Sequence, residues 1–182
     1  MEKKYKSLDS LIKSNRDNKE DAKDQALIDD LAVVKQEGEF NKEQFLRMGM
    51  WKSPRAKNLY LQNEEVDIVE ISKKVFDTEY EKRRIELLTR LKGVAIPTAS
   101  AILMLTDPEK YGVIDIRVWQ VLYDFGSVRV NPTGTNFSFK NWYNYLMKLR
   151  AIARKYGIKA RDVERIIFKH HQIGHEGQNL YQ

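Results

Sequence analysis

The side chain best placed to do chemistry is the carboxylate of Asp115, set in the run Val113-Ile114-Asp115-Ile116-Arg117-Val118-Trp119. A lone carboxylate can serve as a general base or as an electrostatic stabiliser of developing positive charge. It can equally be the N-cap of a helix starting near Arg117, and the two roles are compatible. A second feature lies upstream, in Leu91-Lys92-Gly93-Val94-Ala95-Ile96-Pro97-Thr98-Ala99. Here two helical segments are separated by the short turn Lys92 to Ile96, with one glycine where the chain must bend. Such a turn presents backbone N–H groups at the start of the second helix, where the helix dipole favours an anion. Gly93 would let a phosphate backbone come close, and Val94 would point inward to hold the helices together. An ordinary αα-hairpin with glycine as its C-cap fits the same residues.

Other polar groups point less clearly to a site. Trp51, Lys52, Arg55 and Lys57 interleave aromatic and basic side chains as a single-strand binder does. A helix with one core aromatic and solvated charges has the same pattern. His170, His171 and His175 raise the question of a metal. Adjacent helical residues diverge by about 100°, and no carboxylate cluster accompanies these histidines, so a closed metal site is not expected. With no cysteine in the chain, disulfides, thiolate zinc sites, iron–sulfur clusters and cysteine nucleophiles are excluded.

The elements that must hold these residues are helices. Glycine and proline are scarce, alternating β-branched runs are rare, and apolar residues recur at spacings of three and four. The spacing predicts a helix within Tyr5 to Lys35 ending at Gly38, then a short one capped by Asn41 and closed by Gly49. Ser53-Pro54 opens a helix through Leu61. Helices are also expected around Ile68 to Val75, Tyr80 to Leu91, Thr98 to Leu105, Val118 to Phe125, Trp142 to Tyr156 and Ala160 to His170. Val128 to Phe139 is the longest connection. The formal charge of +6 suits a polyanionic partner, although a solvated basic surface accounts for it equally well. No apolar run approaches the roughly 18 residues of a membrane span, and the first residues lack a signal-peptide pattern. A soluble, cytoplasmic protein is expected.

Taken together and in order, Leu-x-Gly-Val-x-x-x-Thr-Ala, an apolar helix, the Asp107-Pro108 to Gly112 loop and Asp115 resemble the helix-hairpin-helix DNA glycosylase superfamily, which includes endonuclease III and the 8-oxoguanine glycosylases. The resemblance extends from about Lys52 to Gly126, with Pro54-Arg55-Ala56-Lys57-Asn58 standing where a helix precedes the hairpin. It implies an all-α domain spanning 1–182, with a hairpin lobe at about 52–126 and a second lobe of N- and C-terminal helices. It implies double-stranded DNA with a flipped base as partner, and hydrolysis of the N-glycosidic bond of a damaged or mismatched base. Asp115 then corresponds to the catalytic aspartate, stabilising an oxocarbenium-like sugar and orienting water. Lys92, Gly93, Val94, Ala95, Thr98 and Arg117 would meet the DNA backbone, Arg117 standing where the family usually has histidine. Ser100, Ala101 and Trp119 would border the base pocket. Bifunctional members carry a Schiff-base lysine four residues after the hairpin glycine; here that position is Pro97, which implies a monofunctional enzyme without lysine-dependent lyase action. No cofactor is required, though the carbonyls of Thr89, Leu91 and Val94 could hold a monovalent cation. A catalytically inactive helix-hairpin-helix DNA-binding module is the alternative, and a helical protein-interaction domain is the third.

Overall fold

The computed structural model of the protein describes residues 5–174, and every regular element among them is helical. In order these are α1 (Leu8–Asn15), α2 (Ala22–Glu37), α3 (Lys42–Lys52), a 3₁₀ turn (Pro54–Ala56), α4 (Lys57–Tyr60) and α5 (Glu65–Asp77). They continue as α6 (Glu81–Leu88), α7 (Ile96–Thr106), α8 (Ile116–Asp124), α9 (Phe139–Tyr156) and α10 (Ala160–Gly174). None is long and apolar enough to cross a membrane.

The helix that organises the interior is α7, in which every residue from Thr98 to Thr106 is buried. A helix apolar all round has to be covered all round. Helices α2, α3 and α6 supply that cover, while α8 lies on α10 and α10 packs in turn on α9 and α1. One continuous apolar core therefore joins the first helices to the last. Helix α7 thus sits on the N-terminal helices α2 and α3 as well as on α6, and α8 sits on the C-terminal helix α10.

Two local expectations are corrected. The charged N-terminal stretch is two helices, α1 and α2, not one. The break brings Glu20 inward, where it meets Arg161 at 2.7 Å and Arg165 at 3.3 Å. Asp21 then caps α2 through the Lys23 amide. The second correction concerns Gly49, which does not stop its helix; α3 runs on to Lys52. Its role is close approach, since a Cβ there would lie 2.9 Å from the Tyr60 ring.

Glu20 and Glu164 hold the buried Arg161 between them, and Asp24 lies 3.5 Å away. Burial disfavours the Arg161 charge, but Glu164 and Glu20 outweigh it and hold the guanidinium firmly protonated. Burial likewise works against the Glu20 carboxylate, yet Arg161 and Arg165 keep it below its ordinary value of 4.5. A depressed carboxylate stabilises the fold above its unfolded pKa, and that contribution disappears as pH falls through the folded value. Glu20→Gln should therefore cost about 1.5–3 kcal/mol at neutral pH and leave a smaller further loss on acidification than the parent shows. Denaturant midpoints of both proteins between neutral pH and the acid range test this. A pH-independent difference would remove Glu20 from the acid response.

Candidate active site

The chain leaves α7 at Thr106, and the segment that follows is held from three sides before it reaches Asp115. The Ile114 amide donates to Ser100 Oγ of α7 at 3.1 Å. Tyr145 of α9 donates its hydroxyl to the Val113 carbonyl at 2.8 Å, and the Val113 amide faces Glu164 of α10 at 3.5 Å. Burial pushes the Tyr145 hydroxyl well above its ordinary pKa, with Glu164 and Asp115 adding to the effect, so it stays a neutral donor. Burial also raises Glu164, against the pull of Arg161. Side chains locked in this way hold the backbone at Asp115 to one conformation.

Asp115 is the N-cap of α8, its Oδ1 accepting from the Val118 amide at 3.0 Å. Its other oxygen faces Lys52 Nζ at 3.3 Å, and both side chains are 17 % exposed. The cap thus uses one oxygen of the carboxylate, and the other faces the Lys52 amine. The pairing with Lys52, at the end of α3, crosses 63 residues of sequence and has no local signal.

Between α6 and α7 the chain turns through Gly93 at φ +85°. A Cβ there would lie 2.9 Å from the Tyr60 ring and 3.0 Å from Leu59 Cβ, so the position excludes larger residues twice over. Asn63 clamps the turn, its Oδ1 accepting from the Lys92 amide at 2.7 Å and its Nδ2 donating to the Lys92 carbonyl at 3.1 Å. Val94 is buried beneath, as its sequence position implies. The amides of Gly93, Ala95, Ile96 and Thr98 meet no acceptor among the described residues, and no side chain caps α7. These N–H groups at a helix N-terminus make an anion-seeking surface. The Leu91 carbonyl accepts the Val94 amide across the turn at 3.1 Å, which occupies one of its lone pairs. Asn63→Ala should destabilise the protein by about 1–3 kcal/mol, because the Lys92 groups lose their partner. It should also speed amide hydrogen exchange at Lys92; unchanged exchange there would show that the turn holds without Asn63.

Asp115 and this turn face each other across a pocket of about 380 Å³. That lies within the roughly 300–1,000 Å³ typical of ligand sites. Lys52 and Arg55 form one side, Gly93 to Thr98 another, and Gly134 to Phe137 of the α8–α9 connection a third. That connection is shaped by Trp119, whose indole N–H donates to the Asn131 carbonyl at 2.7 Å and whose ring meets Phe137 edge-on at 5.3 Å. Asn131 and Asn136 both have positive φ, at 53° and 50°. The longest connection expected from the sequence thus supplies a pocket wall.

Several expected site residues fall elsewhere. Lys92, Ala95 and Thr98 lie at the turn with Gly93, as expected from their spacing, and Pro97 lines the pocket. Ser100 is fully buried and spends its hydroxyl on Pro97 and Ile114, and Ala101 is fully buried in the core; neither lines the pocket. Trp119 backs Phe137 instead of bordering the cavity itself. Arg117 lies over the Phe168 ring at 5.2 Å, drawn toward α10 by cation–π attraction and away from the pocket. Trp51 is a packing residue, donating to Asp24 at 2.8 Å beneath Arg161, while Arg55 and Lys57 are exposed and Lys52 enters the pocket. His170 packs against Tyr5 and Phe125, and the buried His171 meets Gln120 at 3.1 Å. His175 lies outside the described residues. Phe137, Thr135 and Asn136 line the pocket without any signal in the sequence, because a loop carries no periodicity to reveal which face it presents.

A wider groove of about 880 Å³ opens beside α5, α6 and α9. Its central charges already satisfy one another: Arg150 meets Glu81 at 2.7 Å and Arg84 meets it at 3.6 Å. Tyr111 donates to Glu81 at 2.9 Å, and burial with the nearby Glu81 pushes its hydroxyl up to about 12. The smaller pocket at Asp115 is the better candidate, since it joins a carboxylate, an amine and open amides.

No family model, curated protein or solved structure matches the chain.

Proposed function

We propose that this chain is a DNA glycosylase of the helix-hairpin-helix kind, which removes a damaged or mismatched base from double-stranded DNA. The observation that carries the reading is the single pocket shared by Asp115 and the open amides of the Gly93 turn. An extruded nucleotide has two ends to satisfy, a phosphate and a sugar bearing the base. In this reading the phosphate lies on the amides of Gly93 and Ala95, within reach of Lys92 and Arg55. The sugar lies beside Asp115, and the base enters against Phe137, whose face suits stacking. Asp115 stabilises the positive charge that develops as the glycosidic bond breaks and directs water to the sugar carbon. Pro97 supplies no amine from α7. A monovalent cation on the carbonyls of Thr89, Leu91 and Val94 would tighten the turn without entering the chemistry.

The test is base release from duplexes that each carry one altered or mismatched base, read as strand scission after alkaline cleavage. Release from at least one of them, with intact duplex untouched, is expected. Salt-dependent binding with no release from any duplex would favour a catalytically inactive DNA-binding module, and absence of binding would sink both.

A further inference from the structure

We infer that Lys52 is a second reactive group of this pocket and condenses with the aldehyde of an abasic deoxyribose. This rests on the pocket receiving the sugar of extruded DNA. The observations are geometric. Lys52 comes from the end of α3, lines the same cavity as Asp115, and holds Nζ 3.3 Å from Asp115 Oδ2. It is mostly sheltered, at 17 % side-chain exposure, so its amine stays in the pocket and is not waving in solvent. Whatever sugar carbon Asp115 serves, Lys52 reaches as well.

The product of base hydrolysis is a hemiacetal that opens to a C1′ aldehyde, and a primary amine held beside an aldehyde forms an imine. The Lys52 ammonium first gives its proton to water at the pocket mouth. Nζ then adds to C1′, forming the C–N bond, and the carbinolamine hydroxyl takes up a proton and leaves as water to give an iminium. Asp115 removes a proton from C2′, the electron pair moves toward the iminium, and the C3′–O bond breaks with release of the 3′ phosphate. Water hydrolyses the remaining iminium, returning Lys52 as the free amine. No oxidant or metal is needed. The chain thereby has an amine from α3 where Pro97 denies it one from α7.

The experiment uses the full chain and a duplex with one preformed abasic site, which requires no base excision. Sodium borohydride reduces an imine to a stable amine and so links protein to DNA. A covalent adduct on a denaturing gel is expected, with peptide mapping placing the DNA on Lys52. Lys52→Arg keeps the charge facing Asp115 but cannot form an imine, and should lower the adduct and the nicked product at least tenfold while duplex affinity stays within threefold. Lys110→Gln, in the wider groove beside α5, α6 and α9, should leave both unchanged. No adduct, an adduct mapped to another amine, or an undiminished adduct in Lys52→Arg would overturn the inference. Failure of the glycosylase reading looks different: trapping on preformed abasic DNA with no release of any base.

Discussion

Asp115→Asn should lower base release by about 10²–10³-fold while leaving the protein folded and bound to DNA. The asparagine carbonyl can still accept the Val118 amide, so the cap on α8 survives. What disappears is the negative charge. A neutral amide stabilises an oxocarbenium-like sugar far less and is no base for water. The pairing with Lys52 also weakens, and because both side chains are mostly sheltered its loss should cost about 1–3 kcal/mol, which the fold can bear. Affinity for duplex should hold or rise, since a negative charge near phosphates has been removed. Single-turnover excision with excess enzyme separates the chemical step from binding. An Asp115→Asn protein that excises at the parental rate would falsify the catalytic role and leave Asp115 as a helix cap.

Gly93→Val should weaken both the fold and the grip on DNA. Valine at φ +85° is strained by about 1–2 kcal/mol. Its Cβ would also press on the Tyr60 ring at 2.9 Å, and Tyr60 is fully buried, so it has little room to retreat. Overpacking of this kind costs about 1–3 kcal/mol, and with the strain the total reaches about 2–5 kcal/mol. Against a typical stability of about 5–15 kcal/mol that is tolerable, so the variant can be assayed at low temperature. The turn must move to relieve the clash, and its amides move with it. Duplex affinity should fall at least tenfold, with a shallower dependence on salt because fewer phosphate contacts remain. Binding and salt slope equal to the parent would show that DNA does not use this turn.

Much of the fold was legible along the chain because helix signals are local. Asn41 caps α3 as its sequence position implies, whereas α9 starts earlier than expected, at Phe139, with Ser138 as its cap. Pro54 sits at the start of its turn, though as a 3₁₀ segment leading into α4 and not one regular helix. Asp115 caps α8 and Gly93 bends the chain between two helices, as their spacing implies.

Where the sequence misleads, the deciding neighbour is remote. Gly49 reads as a helix stop, yet α3 runs past it, and the Tyr60 ring against it explains why the position is glycine. Glu20 reads as one charge among many in a solvated stretch, until Arg161, 141 residues away, makes it a buried partner. Ser100 reads as a pocket residue because it lies one turn from the hairpin, yet its face of α7 is turned inward.

The sequence by itself determined that the chain is helical, that Gly93 bends it between two helices, and that Asp115 opens another. These follow from backbone preferences acting within a few residues. Tertiary structure alone decided what Asp115 faces. Packing of α7 against α3 brings Lys52 to its free oxygen, and Trp119 turns the 131–137 loop to close the third wall. A pocket is a relation between surfaces, and the side chains that make this one come from segments with no local reason to meet.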